Sequence, residues 1–195
     1  MSIRFATQQD IPQILSIYGP YVQNTAISFE YTVPTIAEFT QRFSAITAQF
    51  PWLVWEQEGR VLGYAYGSAP FERAAFGWCA EASIYLDPQA RGQGIGKALY
   101  RALEILLTLQ GYIKVYTLIT TANAPSLRFH EAVGYRHTAI MPDCGFKLGN
   151  WHGVVWMEKS LNFVEKPTDF PVPIHSIVEN DAKLNEILDK MPLSS

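Results

Sequence analysis

The chain has only two cysteines in 195 residues, Cys79 and Cys144. They form no Cys-x-x-Cys pair, so neither a disulfide framework nor a cysteine zinc site is expected. A reducing, cytoplasmic setting follows from the same scarcity. Neither His137 nor His152 has a partner at metal-ligand spacing, so no metal is expected. The longest apolar runs fall well short of a bilayer, and the opening residues, MSIRFATQQD, carry no signal-peptide hydrophobic region. No membrane partner is therefore expected. Excess positive charge is also missing: the net charge is -3, which gives no general pull toward nucleic acid. There is no internal repeat and no low-complexity tract. What remains, 48% hydrophobic and 17% charged residues, suits one globular domain with room for a core.

The most informative stretch is 81–103, EASIYLDPQARGQGIGKALYRAL. Ser83, Ile84, Tyr85 and Leu86 have strand character. Asp87-Pro88 ends the strand, because proline donates no amide hydrogen and fixes φ. Gly92, Gly94 and Gly96 follow, flanked by Arg91 and Lys97. Ile95, Ala98, Leu99, Ala102, Leu103, Leu106 and Leu107 then repeat at helical spacing. The first amides of a helix lack internal partners and lie at the positive end of its dipole. Bare glycines there let a phosphate approach the backbone; a flexible strand-to-helix turn would use the same residues. Two familiar phosphate loops do not fit. G-x-G-x-x-G fails at Lys97 counted from Gly92 and at Leu99 counted from Gly94. The P-loop fails at Ala98, where Ser or Thr is required, and at Arg91.

Elsewhere the chain alternates strand and helix signals. Residues 3–6 read as a strand. Thr7 with Asp10 marks a helix start, and Ile11, Ile14, Leu15, Tyr18 and Val22 give an amphipathic helix that Gly19-Pro20 is expected to distort or end. Residues 25–31 form a connector, either core packing or a substrate wall. Thr35 with Glu38 starts a second helix, with Ile36, Phe39, Phe43 and Ile46 on its apolar face. Strands at 52–56 and 61–68 flank the hairpin signal Glu58-Gly59. Gly63, Ala65 and Gly67 keep one face small, for a close neighbour or a bend. Residues 70–77 (PFERAAFG) are a loop. Gly111 caps the long helix. A β-rich run at 115–121 precedes a turn at Asn123 and a short helix through Leu127, Phe129, His130 and Val133. Residues 135–147 hold a strand and its turn, 149–153 a tight loop, and 154–157 a last strand. This order implies a mixed α/β sheet. From Asn162 the prolines Pro167, Pro171, Pro173 and Pro192 mark a change of character. A short helix near 179–191, with a stripe of Leu184, Ile187 and Leu188, is expected to pack on the surface or on a partner. The chain divides into a domain at 1–161 and an extension at 162–195.

Arg91-Gly92-Gln93-Gly94-Ile95-Gly96 resembles the R/Q-x-x-G-x-G/A signature of the GNAT superfamily of N-acetyltransferases. Further blocks narrow the resemblance to the phosphinothricin acetyltransferase group, which includes acetyltransferases of methionine sulfoximine and methionine sulfone. They are 25–30 (TAISFE), 78–86 (WCAEASIYL), Asn123 with Ser126, 130–135 (HEAVGY) and 145–152 (GFKLGNWH). The resemblance as a whole covers about residues 2–161. The resemblance implies a single GNAT-type domain with a mixed, mostly antiparallel sheet flanked by helices. It implies acetyl-CoA as co-substrate, a homodimer, and direct transfer to the α-amino group of a small amino-acid-like amine. Cofactor contacts would come from the backbone of Ile84, Tyr85 and Leu86, from Gly92, Gln93, Gly94, Ile95, Gly96 and Lys97 with Arg91 at the entrance, and from the Asn123 side chain. Substrate contacts would come from Phe71, Glu72 and Arg73 and from Glu81, Ala82 and Ser83.

An ammonium must lose a proton before its nitrogen attacks a thioester, and a carboxylate can accept that proton directly or through water. Glu81 is the candidate base; its other role would be to anchor the ammonium. Many relatives carry a tyrosine where this chain has His130, which makes His130 the implied donor to the departing sulfur, or a base if it faces the amine. No nucleophile–base pair suggests a covalent acetyl-enzyme. Lys147 and His152 are expected to bound the pocket. Arg73 suits carboxylate, phosphinate or sulfone oxygens. Phe71 and Phe76 stand where phosphinothricin enzymes tend to offer polar groups, and Glu72 adds negative charge, which favours methionine sulfone, sulfoximine or another small amine. Two readings stay open beside this one: acetylation of protein N-termini or lysines, and a non-catalytic acyl-CoA sensor.

Overall fold

The computed structural model describes residues 2–190. Seven strands form one sheet: β1 (Ser2–Phe5), β2 (Trp52–Gln57), β3 (Arg60–Ser68), β4 (Cys79–Leu86), β5 (Lys114–Thr120), β6 (Arg136–Lys147) and β7 (Asn150–Ser160), in the order β1-β2-β3-β4-β5-β7-β6. Only β4 and β5 run parallel; all other neighbours are antiparallel. The mixed, mostly antiparallel sheet is the expected fold class. The helices are α1 (Ile11–Asn24), α2 (Ile36–Thr47), α3 (Ile95–Gln110), α4 (Ala124–Ala132) and α5 (Asp181–Lys190). None among the described residues is long and apolar enough to cross a membrane.

The two-residue period of β4 builds two cores. Ala80 and Ala82 pack with Leu99, Leu103, Leu106 and Leu107 of α3. Tyr85 faces the other way and joins Tyr18 of α1, Phe39 of α2 and the β2–β3 residues Trp52 and Tyr64. The small face of β3 has a close neighbour: a Cβ at Gly67 would come 3.1 Å from Phe50 and 3.2 Å from Leu107.

Two local expectations give way to packing. Gly19-Pro20 does not end α1, which runs on to Asn24 with Pro20 inside it. Proline removes a hydrogen bond, but Ile17, Tyr18, Tyr21 and Val22 are all buried and hold the last turn. The second hairpin is also tighter than its glycines suggest. Leu148 (φ 50°) and Gly149 (φ 77°) form its turn, and Lys147 pairs with Asn150. Residues 150–153 therefore lie in β7 and not in a loop. Leucine is a poor sign of positive φ, so the turn is displaced by one residue in a reading from sequence. The first hairpin turns at Glu58 (φ 53°) and Gly59 (φ 76°), as their types suggest.

Beyond residue 161 the chain straps across the α3 side. Ile174, Val178 and Leu184 are buried in the same core as α3. Val172 N donates to Gln110 O, Ile174 N to Gln49 O, and Phe5 N to the Asp181 carboxylate. Phe170 stacks on Trp78 at 4.4 Å. Helix α5 is described through Lys190; Met191 and Pro192 lie outside the described residues. Leu184 is 0% exposed. Leu184→Ala is therefore expected to cost about 2–5 kcal/mol, read as a lower urea midpoint at an unchanged m value. A midpoint equal to that of the parent chain would mean that the extension contributes nothing to the core.

Candidate active site

Strands β4 and β5 pair over three positions only: Cys79 with Lys114, Ala80 with Val115, and Glu81 with Tyr116. Beyond Glu81, β4 stays on β3 as far as Leu86, and β5 stays on β7 as far as Thr120. The strands separate like the arms of a fork. One edge of residues 82–86 is left without a strand beside it, exposing a ladder of backbone donors and acceptors. Ala82, Ser83, Ile84 and Tyr85 line one side of the opening, and Thr117, Leu118, Ile119 and Thr120 the other. It leads to a cavity of about 440 Å³ whose walls include Leu86, Arg91, Gly92, Gly96, Asn123 and Phe129.

At the outer end stands the start of α3. Gly94 caps the helix with φ 81°, and Gly92 has φ 76°. A Cβ at either would meet nothing within 4 Å, so backbone conformation and not crowding calls for glycine. Ala98 N donates to Gly94 O at 3.1 Å. By helix geometry the amides of Ile95, Gly96 and Lys97 have no partner within α3. Arg91 is held at the mouth. Its Nη2 donates to Tyr21 Oη at 2.7 Å, and Tyr21 Oη donates to Leu86 O at 2.6 Å. Asn123 Oδ1 caps α4 by accepting from Ser126 N at 3.3 Å, and its amide nitrogen makes no hydrogen bond among the described residues.

Glu81 is the last β4 residue with a strand partner on each side, which sets it at the crotch of the fork. It shares a face with Ser83 and Tyr85. No hydrogen bond or ion pair engages its carboxylate among the described residues. Burial alone pushes the carboxyl above its ordinary range. Glu81 is thus a half-buried acid with no counter-ion among the described residues, beside an open strand edge and the start of α3.

Residues 3–156 match the acetyltransferase (GNAT) domain family. The chain belongs to the GNAT acetyltransferases. It is 30% identical over 167 residues to the phosphinothricin N-acetyltransferase of Streptomyces viridochromogenes, covering 86% of this chain and 91% of that one. It is 36% identical over 165 residues to the L-methionine sulfoximine/L-methionine sulfone acetyltransferase of Pseudomonas paraeruginosa, covering 83% and 95%. Among solved structures, the GNAT superfamily phosphinothricin acetyltransferase of Sinorhizobium meliloti, in complex with AcCoA, superposes with a TM-score of 0.84 at 37% identity. That match covers 89% of this chain and 96% of the other. The protein is thus an acyltransferase of the phosphinothricin and methionine sulfoximine group.

Within this acetyltransferase, the fork gathers Ala82, Ser83, Ile84, Tyr85, Leu86, Arg91, Gly92, Gly96 and Asn123 around one opening. Ile95 buries its side chain in the core, so it offers only its amide. Gln93 is exposed and folds back onto Gln89 O at 3.0 Å, and Lys97 is exposed on the first turn of α3. Phe71, Glu72 and Arg73 do not border the opening. Phe71 lies on the sheet face, stacked on Trp156 at 5.6 Å, while Glu72 and Arg73 are exposed.

His130 is 2% exposed, and both its ring nitrogens are engaged. Nδ1 lies 2.7 Å from Ser126 O, a carbonyl that can only accept, so Nδ1 carries the proton and Nε2 accepts from Tyr100 Oη at 2.7 Å. Burial holds the imidazole down to about 4, so it is neutral at physiological pH. In this arrangement His130 has no N–H left for a sulfur atom; it orients Tyr100 and Ser126. Tyr21, Tyr100, Thr117 and Thr120 also belong to the site and escape a reading from sequence. Tyr100 alone leaves a trace, a phenol within the apolar stripe of α3.

Proposed function

We propose that the protein transfers the acetyl group of acetyl-CoA directly to the α-amino group of a small amino-acid-like acceptor of the methionine sulfone, methionine sulfoximine or phosphinothricin type. The parting of β4 from β5 beyond Glu81 carries this reading. The bare β4 edge can take the amides of a pantetheine arm as an added strand, and the free amides at the start of α3 suit a diphosphate. The relatives' names supply the acceptor class.

Glu81 takes the proton that the acceptor ammonium must lose, directly or through a water, and its raised pKa brings it nearer the pH of that task. The nitrogen lone pair then forms the new bond to the thioester carbonyl carbon, the carbon–sulfur bond breaks, and the sulfur leaves as a thiolate that is protonated in the cleft. Ser126 Oγ, 3.2 Å from His130 Nδ1, can accept a share of that N–H and keep its own proton for the sulfur. Arg73 is exposed and clear of the opening, so it is given no part in holding the acceptor.

The protein also works as a homodimer in this reading. Phe71, Phe76 and Leu118 are exposed around Trp156, an apolar surface that a second copy would cover. Sedimentation equilibrium checks this.

The decisive experiment is a thiol-release assay over methionine sulfone, methionine sulfoximine, phosphinothricin, the common amino acids, and peptides with free N-termini or lysines. Turnover is expected with at least one of the first three. Turnover with peptides alone would move the reading to protein acetylation. Acetyl-CoA binding without turnover of any amine would overturn it.

A further inference from the structure

Lys147 is a buried cation that the chemistry above leaves unused. It ends β6 and is 3% exposed, yet among the described residues no carboxylate forms an ion pair with it. Its Nζ donates instead to two main-chain carbonyls, Val22 O at 2.7 Å and Ser28 O at 2.5 Å. Val22 lies in the last turn of α1, whose carbonyls have no intrahelical donors and carry the negative end of the dipole. That turn contains no basic residue of its own. Lys147 therefore caps α1 from a strand far along the chain, and it fastens the connector at 25–31 with the same ammonium. Burial pushes the amine below its ordinary value while the nearby Glu30 acts in the opposite sense.

Neighbouring residues of β6 continue the seam. A Cβ at Gly145 would lie 2.2 Å from the Phe29 ring, so that ring sits directly on the glycine backbone. Tyr31 Oη donates to Phe146 O. Three consecutive β6 residues thus grip one connector. The connector in turn places Ile27 on the wall of the cleft, which it lines together with Tyr85, Arg91, Gly92, Gly96 and Asn123. On the far side it is tied to α1 and α2, through Thr25 Oγ1 to Tyr21 O at 2.6 Å, Ser28 Oγ to Tyr18 Oη at 2.8 Å and Glu30 to Arg42 at 2.7 Å.

We propose that Lys147 is a positioning residue: by pinning the end of α1 and the 25–31 connector to β6, it sets the wall of the cleft that carries Ile27 and faces acetyl-CoA, without itself lining the cleft. The part that concerns acetyl-CoA rests on the function proposed above. A structural role alone would lower stability and leave the two Michaelis constants in their ratio; a positioning role moves one of them.

The test uses Lys147→Met, which keeps length and loses the donors, and Tyr31→Phe, a milder cut in the same seam that keeps the fold. Losing hydrogen bonds from a charged donor corresponds to roughly a tenfold effect or more. Lys147→Met is expected to raise the KM for acetyl-CoA about tenfold while the KM for methionine sulfone stays within about twofold. Tyr31→Phe should shift the same constant by a smaller factor. Hydrogen exchange of amides 25–31 in the apoprotein should quicken in both variants, most in Lys147→Met, with exchange in α3 unchanged. If the parent enzyme turns over no amine, the functional reading has failed, and exchange alone decides whether the seam holds the connector. Folded variants with parental exchange across 25–31, or with both Michaelis constants unmoved in an enzyme that turns over an amine, would overturn the proposal.

Discussion

Glu81→Gln is expected to lower kcat by about a hundredfold to ten-thousandfold, the range lost with a general base, while the Kd for acetyl-CoA changes little. The amide keeps the size of the side chain at the fork but cannot take the ammonium proton. The pH profile supplies an independent signature. Because burial raises the Glu81 pKa, activity should fall on the acid side through a value above the ordinary carboxylate range, and that limb should vanish in the variant. Stability should move the opposite way. A carboxyl whose folded pKa is raised carries no penalty below its unfolded pKa and its full penalty above the folded one. Glu81→Gln should therefore melt higher than the parent near neutral pH, and the difference should disappear in acid. Unchanged kcat would remove Glu81 from the chemistry; an unchanged melting temperature at neutral pH would show that its burial carries no cost.

Gly94→Val is expected to weaken acetyl-CoA binding by roughly a hundredfold or more. The residue caps α3 at φ 81°. A left-handed backbone costs an L residue about 1–2 kcal/mol, and a β-branched one more. The space around the site is open, so the change acts by turning the chain and not by a clash. Once turned, the amides of Ile95, Gly96 and Lys97 no longer converge. Each amide bonded to an anion is worth about 1.5–3 kcal/mol, and losing two gives the stated factor. Calorimetric titration with acetyl-CoA reads it, and circular dichroism checks that α3 persists. Affinity within a few-fold of the parent would mean that the phosphates bind elsewhere.

Much of the site could be read before its shape was known, and the reason is local. The glycine loop, the strand before it and the helix after it are neighbours in the chain, and their backbone demands are written in neighbouring residues. The same holds for the cap of α4, where Asn123 serves Ser126 three residues on. The Leu148-Gly149 turn was displaced because a leucine at positive φ is a local choice that other strand pairings enforce. His130 was assigned from the slot it occupies; its burial and its bond to Tyr100, thirty residues back in the chain, are set by how α3 meets α4.

Sequence alone, then, determined the family, the alternation of strands and helices, the glycine-bearing start of α3 and the strand that bears Glu81. Tertiary structure alone decided that β4 and β5 part just beyond that carboxylate, that His130 turns inward, that Lys147 closes α1, and that residues 174–184 enter the core. The division follows range. Backbone preference and periodicity act over a few residues and are legible in one stretch. Strand divergence, burial and charge placement arise where Glu81 meets Tyr116 or Lys147 meets Val22, and no single stretch contains both partners.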